Sequence, residues 1–235
     1  MMAEAKQNGT ELFRLIVVGG HTRNIGKTQL VCDIIHAFPK VYWIAGKITQ
    51  QEGGLSARDV ESVGCAPTEH NCLLDWETRT DTETDSARVL KAGATRSFWL
   101  RSRQGALADC LPLLRQALCD SISDPSEPRK KALIVESNSL VQLVKPSLYF
   151  AVLHPDKEDF KESALAALGT ANALVLRADA TPATPDAPPA PLWMKVPSKL
   201  LQQRPSVLQR QGEPLPRPLE SLIYQMLDDS PSVSF

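Results

Sequence analysis

The sequence lacks the features that would indicate a membrane, a secretory route or a nucleic-acid partner. No apolar run approaches the roughly 18 residues that a membrane-spanning helix needs. Basic and acidic residues nearly balance, 26 against 27, so no basic field favours nucleic acid. Residues 1–11 are polar and without the apolar core of a signal peptide, so we expect a flexible N-terminus and a cytoplasmic protein. No internal repeat is visible.

The sequence does contain a strand–loop–helix pattern typical of nucleotide-binding proteins, called the corner below, at residues 15–38, LIVVGGHTRNIGKTQLVCDIIHAF. An apolar strand leads into a polar loop, and Gly26-Lys27-Thr28 opens an amphipathic helix. This order is typical of a P-loop, in which backbone N–H groups and a lysine hold phosphate oxygens. The candidate nucleotide-binding residues of the loop and helix start are His21, Thr22, Arg23, Asn24, Ile25, Gly26, Lys27, Thr28 and Gln29.

The corner departs from the strict P-loop pattern at one position. The pattern places a glycine five residues before Gly26, and His21 stands there, while Gly20 lies one residue too early. Either His21 takes the place of the glycine in a non-glycine conformation, or the loop is one residue longer. The phosphate site is expected in both cases.

Apolar segments alternate with amphipathic ones along residues 12–180. This alternation predicts an α/β, three-layer αβα P-loop NTPase fold with a mostly parallel sheet. We predict strands at 12–18, 41–48, 97–101, 132–135, 148–153 and 173–176, and helices at 27–37, 85–94, 105–118 and 159–168. Residues 49–84 are expected to form a long polar loop insert. Residues 181–235 are expected to be a proline-rich linker and tail with a short helix at 218–227.

Strand ends supply the other candidate groups of the site. Glu136 directly follows the apolar run ALIV, where a carboxylate would share Mg²⁺ with Thr28, and Asp85 is a second candidate ligand. Asp85 could equally be a helix N-terminal charge. Lys47 follows the second strand, and we predict that it acts with Lys27 on a phosphoryl group, the alternative being a solvated lysine.

The polar insert carries three residues with metal-ligating side chains, Cys65, His70 and Cys72. They are candidate Zn²⁺ ligands, with Glu69 or another residue as the fourth, although a loop of free thiols fits equally. The five cysteines are an odd number, and a nucleotide-dependent protein works where nucleotide is abundant, so we expect reduced thiols in the cytoplasm. Cys32, Cys110 and Cys119 lie in predicted helices.

The last predicted strand is followed by Arg177-Ala178-Asp179. In GTP-specific P-loop proteins an aspartate after this strand pairs with guanine, and Arg177 would stack on the base. Asp179 therefore favours GTP slightly over ATP.

With these residues in place, the chain resembles the molybdopterin-guanine dinucleotide biosynthesis protein B family. The matching segments are VVGGHTRNIGKTQLV, AGKITQ, DSARVLKAGA and ALIVES, in the family's order. The arrangement is also similar to dethiobiotin synthetase. The resemblance implies a GTP-binding, slowly hydrolysing protein that assists guanylylation of the molybdenum cofactor, as a homodimer that works with a cofactor-assembly enzyme. The alternatives are an ATP-dependent kinase or ligase acting on a small molecule, and a metal-binding adaptor that uses Cys65, His70 and Cys72.

Overall fold

The computed structural model describes residues 13–52, 71–121, 127–154, 157–178, 199 and 202–229. The strands are β1 (Arg14–Gly20), β2 (Tyr42–Gln51), β3 (Cys72–Glu77), β4 (Arg96–Arg103), β5 (Lys131–Glu136), β6 (Leu148–Leu153), β7 (Ala173–Ala178) and β8 (Ser206–Arg210). The helices are α1 (Lys27–Ala37), α2 (Asp85–Lys91), α3 (Leu107–Ser121), α4 (Glu162–Leu168) and α5 (Arg217–Asp228), with a 3₁₀ turn at Leu140–Gln142.

The eight strands form one sheet in the order β3-β4-β2-β5-β1-β6-β7-β8. Every pairing is parallel except that of β3 with β4 at the edge. Parallel strands need crossovers that cover both faces, so the central strands are apolar on both sides. β6 is buried over its whole length. The α/β class and the mostly parallel sheet are confirmed.

Two apolar cores lie on opposite faces of the sheet and create the three layers. On one face, side chains of α1, α2 and α5 pack on the sheet, among them Ile34, Val89 and Ile223. On the other face, α3 and α4 supply Leu114 and Leu168. Within β1, Ile16 and Val18 enter the first core while Leu15 and Val17 enter the second. The two-residue period of the strand therefore divides one apolar run between two cores.

Two strands occur where the sequence predicted none. β3 lies inside the predicted polar insert 49–84 and pairs antiparallel with β4. β8 lies inside the predicted tail and extends the sheet beyond β7. The helix predicted at 218–227 is α5, whose residues Leu219, Ile223 and Met226 are buried in the first core. Residues 206–228 thus belong to the same folded unit as β1 and α1.

The part of the chain that the structure describes has no helix long and apolar enough to cross a membrane.

Candidate functional site

The site begins where β1 turns into α1. Gly26 precedes the helix with φ +86°, in the left-handed region that glycine adopts without strain. Asn24, two residues earlier, also has positive φ, at 53°. A Cβ on Gly20 would lie 2.7 Å from Ile25 Cδ1 and 2.9 Å from Lys27 Cδ. These two glycines let the loop fold tightly against the start of the helix.

His21 fills the place of the missing glycine with its side chain turned away from the loop. It is fully buried, and its ring stacks on Phe160 with centroids 5.1 Å apart. Its Nε2 lies 3.2 Å from the Lys157 carbonyl oxygen, and its backbone N–H donates to Val152. Burial lowers the pKa of His21, against the effect of these backbone hydrogen bonds. The imidazole therefore anchors the loop to the segment after β6.

Asn138 is a second anchor, and sequence reasoning did not identify it. The Gly20 N–H donates to Asn138 Oδ1 at 2.7 Å, and Asn138 Nδ2 donates to the Gly20 carbonyl at 2.8 Å. This reciprocal pair joins the end of β1 to the residues after β5. The space beside Gly19 is closed as well, because a Cβ there would lie 2.6 Å from the Tyr149 hydroxyl. The start of the loop is thereby held in one position.

Lys27 is a largely buried cation of the corner. Its ammonium donates to the Thr22 carbonyl at 2.8 Å and lies 3.9 Å from Glu136 Oε1. Burial lowers the pKa of Lys27, Glu136 opposes that shift, and Lys47 adds to it. A half-compensated buried ammonium of this kind favours an anionic ligand.

Two carboxylates and two further groups meet beside Lys27. Thr28 Oγ1 donates to Glu136 Oε2 at 2.6 Å. Lys47 Nζ lies 3.9 Å from Glu136 Oε1 and forms an ion pair with Asp85. Lys47, within β2, and Glu136, the last residue of β5, are register partners, which explains why the two side chains lie close together.

The pKa of Asp85 reflects this surrounding charge. Burial alone would raise it, but the hydrogen bond and charge of Lys47, a hydrogen bond from Thr28 and the charge of Arg88 together lower it. Asp85 therefore stays ionised, and it also opens α2, with Thr84 as N-cap. The helix-end role weighed in the sequence analysis and the site role are both compatible with its position.

The donor set fits Mg²⁺. A hydroxyl (Thr28) and a carboxylate (Glu136) share one point at the end of β5, and the Asp85 carboxylate reaches the same cluster through Lys47 and Thr28. Oxygen ligands of this type are those that Mg²⁺ prefers, with waters and phosphate completing the shell.

A polar chain extends from this cluster along α1. Arg88 lies 3.6 Å from Asp85 Oδ1 and donates to Gln29 Oε1 at 2.9 Å. Gln29 in turn donates to Asp33, which lies 3.7 Å from the Arg177 guanidinium. Arg177 is buried, and its Nε would lie 2.9 Å from a Cβ on Gly26. Arg177 therefore packs on the loop glycine, while Asp179 lies outside the described residues.

A narrow cleft lies next to the carboxylate cluster, with a volume of about 10 Å³, room for about one water molecule. Thr28, Lys47 and Glu136 form part of its lining, and Val31, Val89 and Phe98 make other walls apolar. Among the other candidate nucleotide-binding residues of the loop, Arg23 is exposed to solvent and Ile25 is buried.

The proposed zinc ligands do not form a site in the described part of the chain. Cys72 and Cys110 form a disulfide, so the Cys72 sulfur is not available as a thiolate, and the expectation of five reduced thiols is wrong for this pair. Edge strand β3 packs against α3 and brings together two residues 38 positions apart, which no local spacing reveals. Cys65, His70 and Glu69 lie outside the described residues, and no metal-binding group of three occurs among the described ones.

Among solved structures, the chain is similar to HypB from Helicobacter pylori in complex with nickel. The identity is 15%, the match covers 98% of this chain and 94% of that chain, and the TM-score is 0.49. So distant a likeness assigns no ligand or activity to this chain. No family model matches the sequence, and no curated protein matches it.

Proposed function

We propose that this protein binds a nucleoside triphosphate, GTP or ATP, with Mg²⁺ at the β1–α1 corner and hydrolyses it. The observation that carries the proposal is the largely buried Lys27 ammonium. It lies between the Thr22 carbonyl and the Glu136 carboxylate, on a loop that ends in a left-handed glycine. A phosphate chain is the ligand whose charge and shape match that arrangement.

Each residue has a distinct task in this proposal. Backbone N–H groups at the start of α1 donate to phosphate oxygens, and Lys27 contacts the β- and γ-phosphates. Lys47 approaches from within β2 and stabilises charge on the departing phosphoryl group. Asn138 and His21 act indirectly, by fixing the start of the loop.

Mg²⁺ would be held by Thr28 and Glu136, with Asp85 close by. When bound, the ion neutralises phosphate charge and orients the phosphate oxygens. Glu136 would then give up the hydrogen bond that it accepts from Thr28, and both side chains would contact the ion.

The resemblance noted in the sequence adds a pathway to the proposal. By this resemblance, the protein would serve assembly of molybdopterin guanine dinucleotide, as a homodimer with a cofactor-assembly enzyme as partner. Cells that lack this protein are expected to lose guanylylated molybdenum cofactor while retaining the unmodified cofactor. Unchanged guanylylated cofactor in such cells would contradict this part of the proposal alone.

Nucleotide binding is tested by calorimetric titration of the purified chain with Mg-GTP and with Mg-ATP. We expect saturable binding of at least one nucleotide at micromolar concentration, and loss of affinity by about a hundredfold in Lys27→Ala. Lys40→Ala is the matched control, because Lys40 is exposed at the far end of α1. Absence of binding by the unmodified chain, or unchanged binding by Lys27→Ala, would refute the proposal.

A second candidate is phosphoryl transfer to a small molecule, as in dethiobiotin synthetase. The Lys47 ammonium, 3.9 Å from Glu136 and paired with Asp85, favours it, since an acceptor anion bound there would lie next to the phosphate site. Turnover stimulated by a carboxylate-bearing metabolite would support transfer. Turnover that no metabolite in a broad screen changes would favour simple hydrolysis.

A further inference from the structure

Arg88, in the middle of α2, is a charged side chain to which the proposed function gives no task. Its Nη1 lies 3.6 Å from Asp85 Oδ1, one turn back on the same helix. Its Nη2 donates to Gln29 Oε1 of α1 at 2.9 Å. Gln29 directly follows Thr28, whose hydroxyl donates to Glu136. Arg88 therefore joins the helix that carries Asp85 to the helix that carries Thr28.

Both ends of this bridge are oriented by further contacts. Gln29 Nε2 donates to Asp33 Oδ1 at 2.8 Å, one turn along α1, so the amide of Gln29 turns its oxygen toward Arg88. At the other end, Oδ2 of Asp85 pairs with the Lys47 ammonium while Oδ1 faces Arg88. Each carboxylate oxygen of Asp85 thus has its own cation, and the connected contacts restrict rotation of the side chains that make them.

The bridge contributes geometry more than it contributes stability. The Arg88 and Asp85 side chains are each about one-third exposed, and an ion pair with that exposure adds little to the free energy of unfolding. Val31 of α1 and Val89 of α2 lie in the first core, but apolar packing is not directional. The planar guanidinium presents its donors in a rigid fork, so it fixes how Asp85 lies relative to the start of α1.

We propose that Arg88 is a positioning residue for the Mg²⁺ site. It holds Asp85 and, through Gln29, the backbone that carries Thr28, so that these oxygen donors stay in place when the ion binds. The inference rests on the proposed function, since it concerns the metal that accompanies the same nucleotide. Groups that hydrogen-bond to oxygen ligands orient them, and loss of such a group weakens metal binding about ten- to a hundredfold.

The experiment measures the affinity for the non-hydrolysable β,γ-imido analogue of GTP or ATP twice, once with saturating Mg²⁺ and once with EDTA. The ratio of the two affinities is the coupling between metal and nucleotide, and reciprocity makes it a measure of metal binding. Arg88→Ala should reduce this ratio about tenfold and change the affinity in EDTA less than about twofold. Arg88→Lys keeps the charge but loses the fork, so it should also reduce the ratio while keeping the thermal midpoint.

Gln29→Ala removes the other end of the bridge. It should lower the Mg²⁺-to-EDTA ratio as well, because Arg88 then loses its contact with α1. The double variant Gln29→Ala, Arg88→Ala should fall less than the product of the two single effects, since both substitutions break one connected set of contacts. Fully multiplicative effects would contradict action through Gln29.

Lys91→Ala is the matched control, because Lys91 is an exposed basic residue of the last turn of the same helix. It should leave the ratio unchanged. An unchanged ratio in Arg88→Ala, or an equal fall in Lys91→Ala, would overturn the inference while leaving nucleotide binding in place. Equal losses with Mg²⁺ and with EDTA would assign Arg88 to the fold alone and would also overturn it. If the unmodified chain bound the analogue in neither condition, the proposed function itself would fail.

Discussion

The β1–α1 corner and the β3 edge of the same sheet are held in place by different kinds of interaction. At the corner, buried hydrogen bonds and glycine geometry hold the chain, and buried charges face one another at 3.9 Å. At the edge, a disulfide fixes the start of β3. The other end is held by Glu77, which accepts hydrogen bonds from Thr84 and Ser86 at the start of α2.

The two regions meet at Asp85. We expect the corner to govern activity and the edge to govern stability. A largely buried ammonium carries a desolvation cost that Glu136 offsets in part and that an anionic ligand would offset further. The edge uses a covalent bond and exposed polar groups, which stabilise the fold without facing a ligand. Changes at the corner should therefore alter nucleotide chemistry, and changes at the edge should alter stability.

The largest effect is expected from Glu136→Gln at the corner. The variant keeps the shape of the side chain and the Thr28 hydrogen bond but removes the charge that would ligate Mg²⁺. We expect nucleotide turnover to fall about a hundred- to a thousandfold. Glu77→Gln is the matched change at the edge and should keep nearly full turnover. Similar losses in both variants would abolish the distinction between the two regions.

Removal of the disulfide should lower stability and leave nucleotide binding nearly unchanged. The double variant Cys72→Ala, Cys110→Ala releases a closed loop of 38 residues and should lower the free energy of unfolding by about 2–4 kcal/mol. Urea denaturation measures the loss, and dithiothreitol should bring the unmodified chain close to the variant. Nucleotide affinity should change less than about twofold. The control variant Cys119→Ser changes a free cysteine and should keep the urea midpoint of the unmodified chain.

Gly26→Ala tests backbone geometry at the corner. The new methyl group would meet both a left-handed φ of +86° and Arg177 Nε at 2.9 Å. We expect a loss of about 1–2 kcal/mol in stability and more than about tenfold in nucleotide affinity. Gly105→Ala has nearly the same φ, +83°, with open space around it, so it should show the strain alone. Equal effects on nucleotide affinity would count against a role for the Arg177 contact.

Acid should affect the corner through Asp85. Its pKa is lowered in the folded state, so its ionisation stabilises the fold above the ordinary value of 3.8 and this contribution is lost as the pH falls below it. The unfolding free energy of the unmodified chain should therefore decline below about pH 4. Asp85→Asn should decline less steeply over the same range. If the unfolding free energies of the unmodified chain and Asp85→Asn fell in parallel with pH, Asp85 would have the same pKa in the folded and unfolded states.

The smallest effect is expected at the exposed part of the edge. Arg79 pairs with Asp81 at 3.0 Å, but both side chains are largely exposed to solvent. Such pairs are weakened by water and salt. Arg79→Ala should leave the thermal midpoint and nucleotide affinity unchanged within error. A clear loss of stability would show that the segment after β3 supports the edge more than its exposure suggests.

Sequence patterns were sufficient where one element carries its own signal. The helix at Lys27–Ala37 has the predicted bounds, because Gly26 and Pro39 enclose an apolar stripe. Glu136 could be selected because a carboxylate directly after a buried strand must emerge at the strand's carboxyl end. The structure brings it together with Lys47, selected from the second strand, with Thr28 of the Gly-Lys-Thr pattern and with Asp85 at the start of a helix.

Sequence patterns were insufficient where a partner lies far along the chain. Asn138 acts only through Gly20, 118 residues away, and Cys72 pairs with Cys110 because β3 meets α3. β3 has six residues and β8 has five, and both lie in segments of polar or proline-rich composition. An edge strand needs one apolar face at most, so its pattern is weaker than that of a central strand.

The position of α5 has a consequence for biosynthesis. Its residues Leu219 and Ile223 complete the core beside β1, and Arg14 of β1 donates to the Met226 carbonyl at 2.7 Å. The ribosome produces β1 and the P-loop helix some 200 residues before their partner. We therefore expect the nascent chain to leave part of an apolar sheet face uncovered until α5 emerges, an interval in which chaperones could bind it.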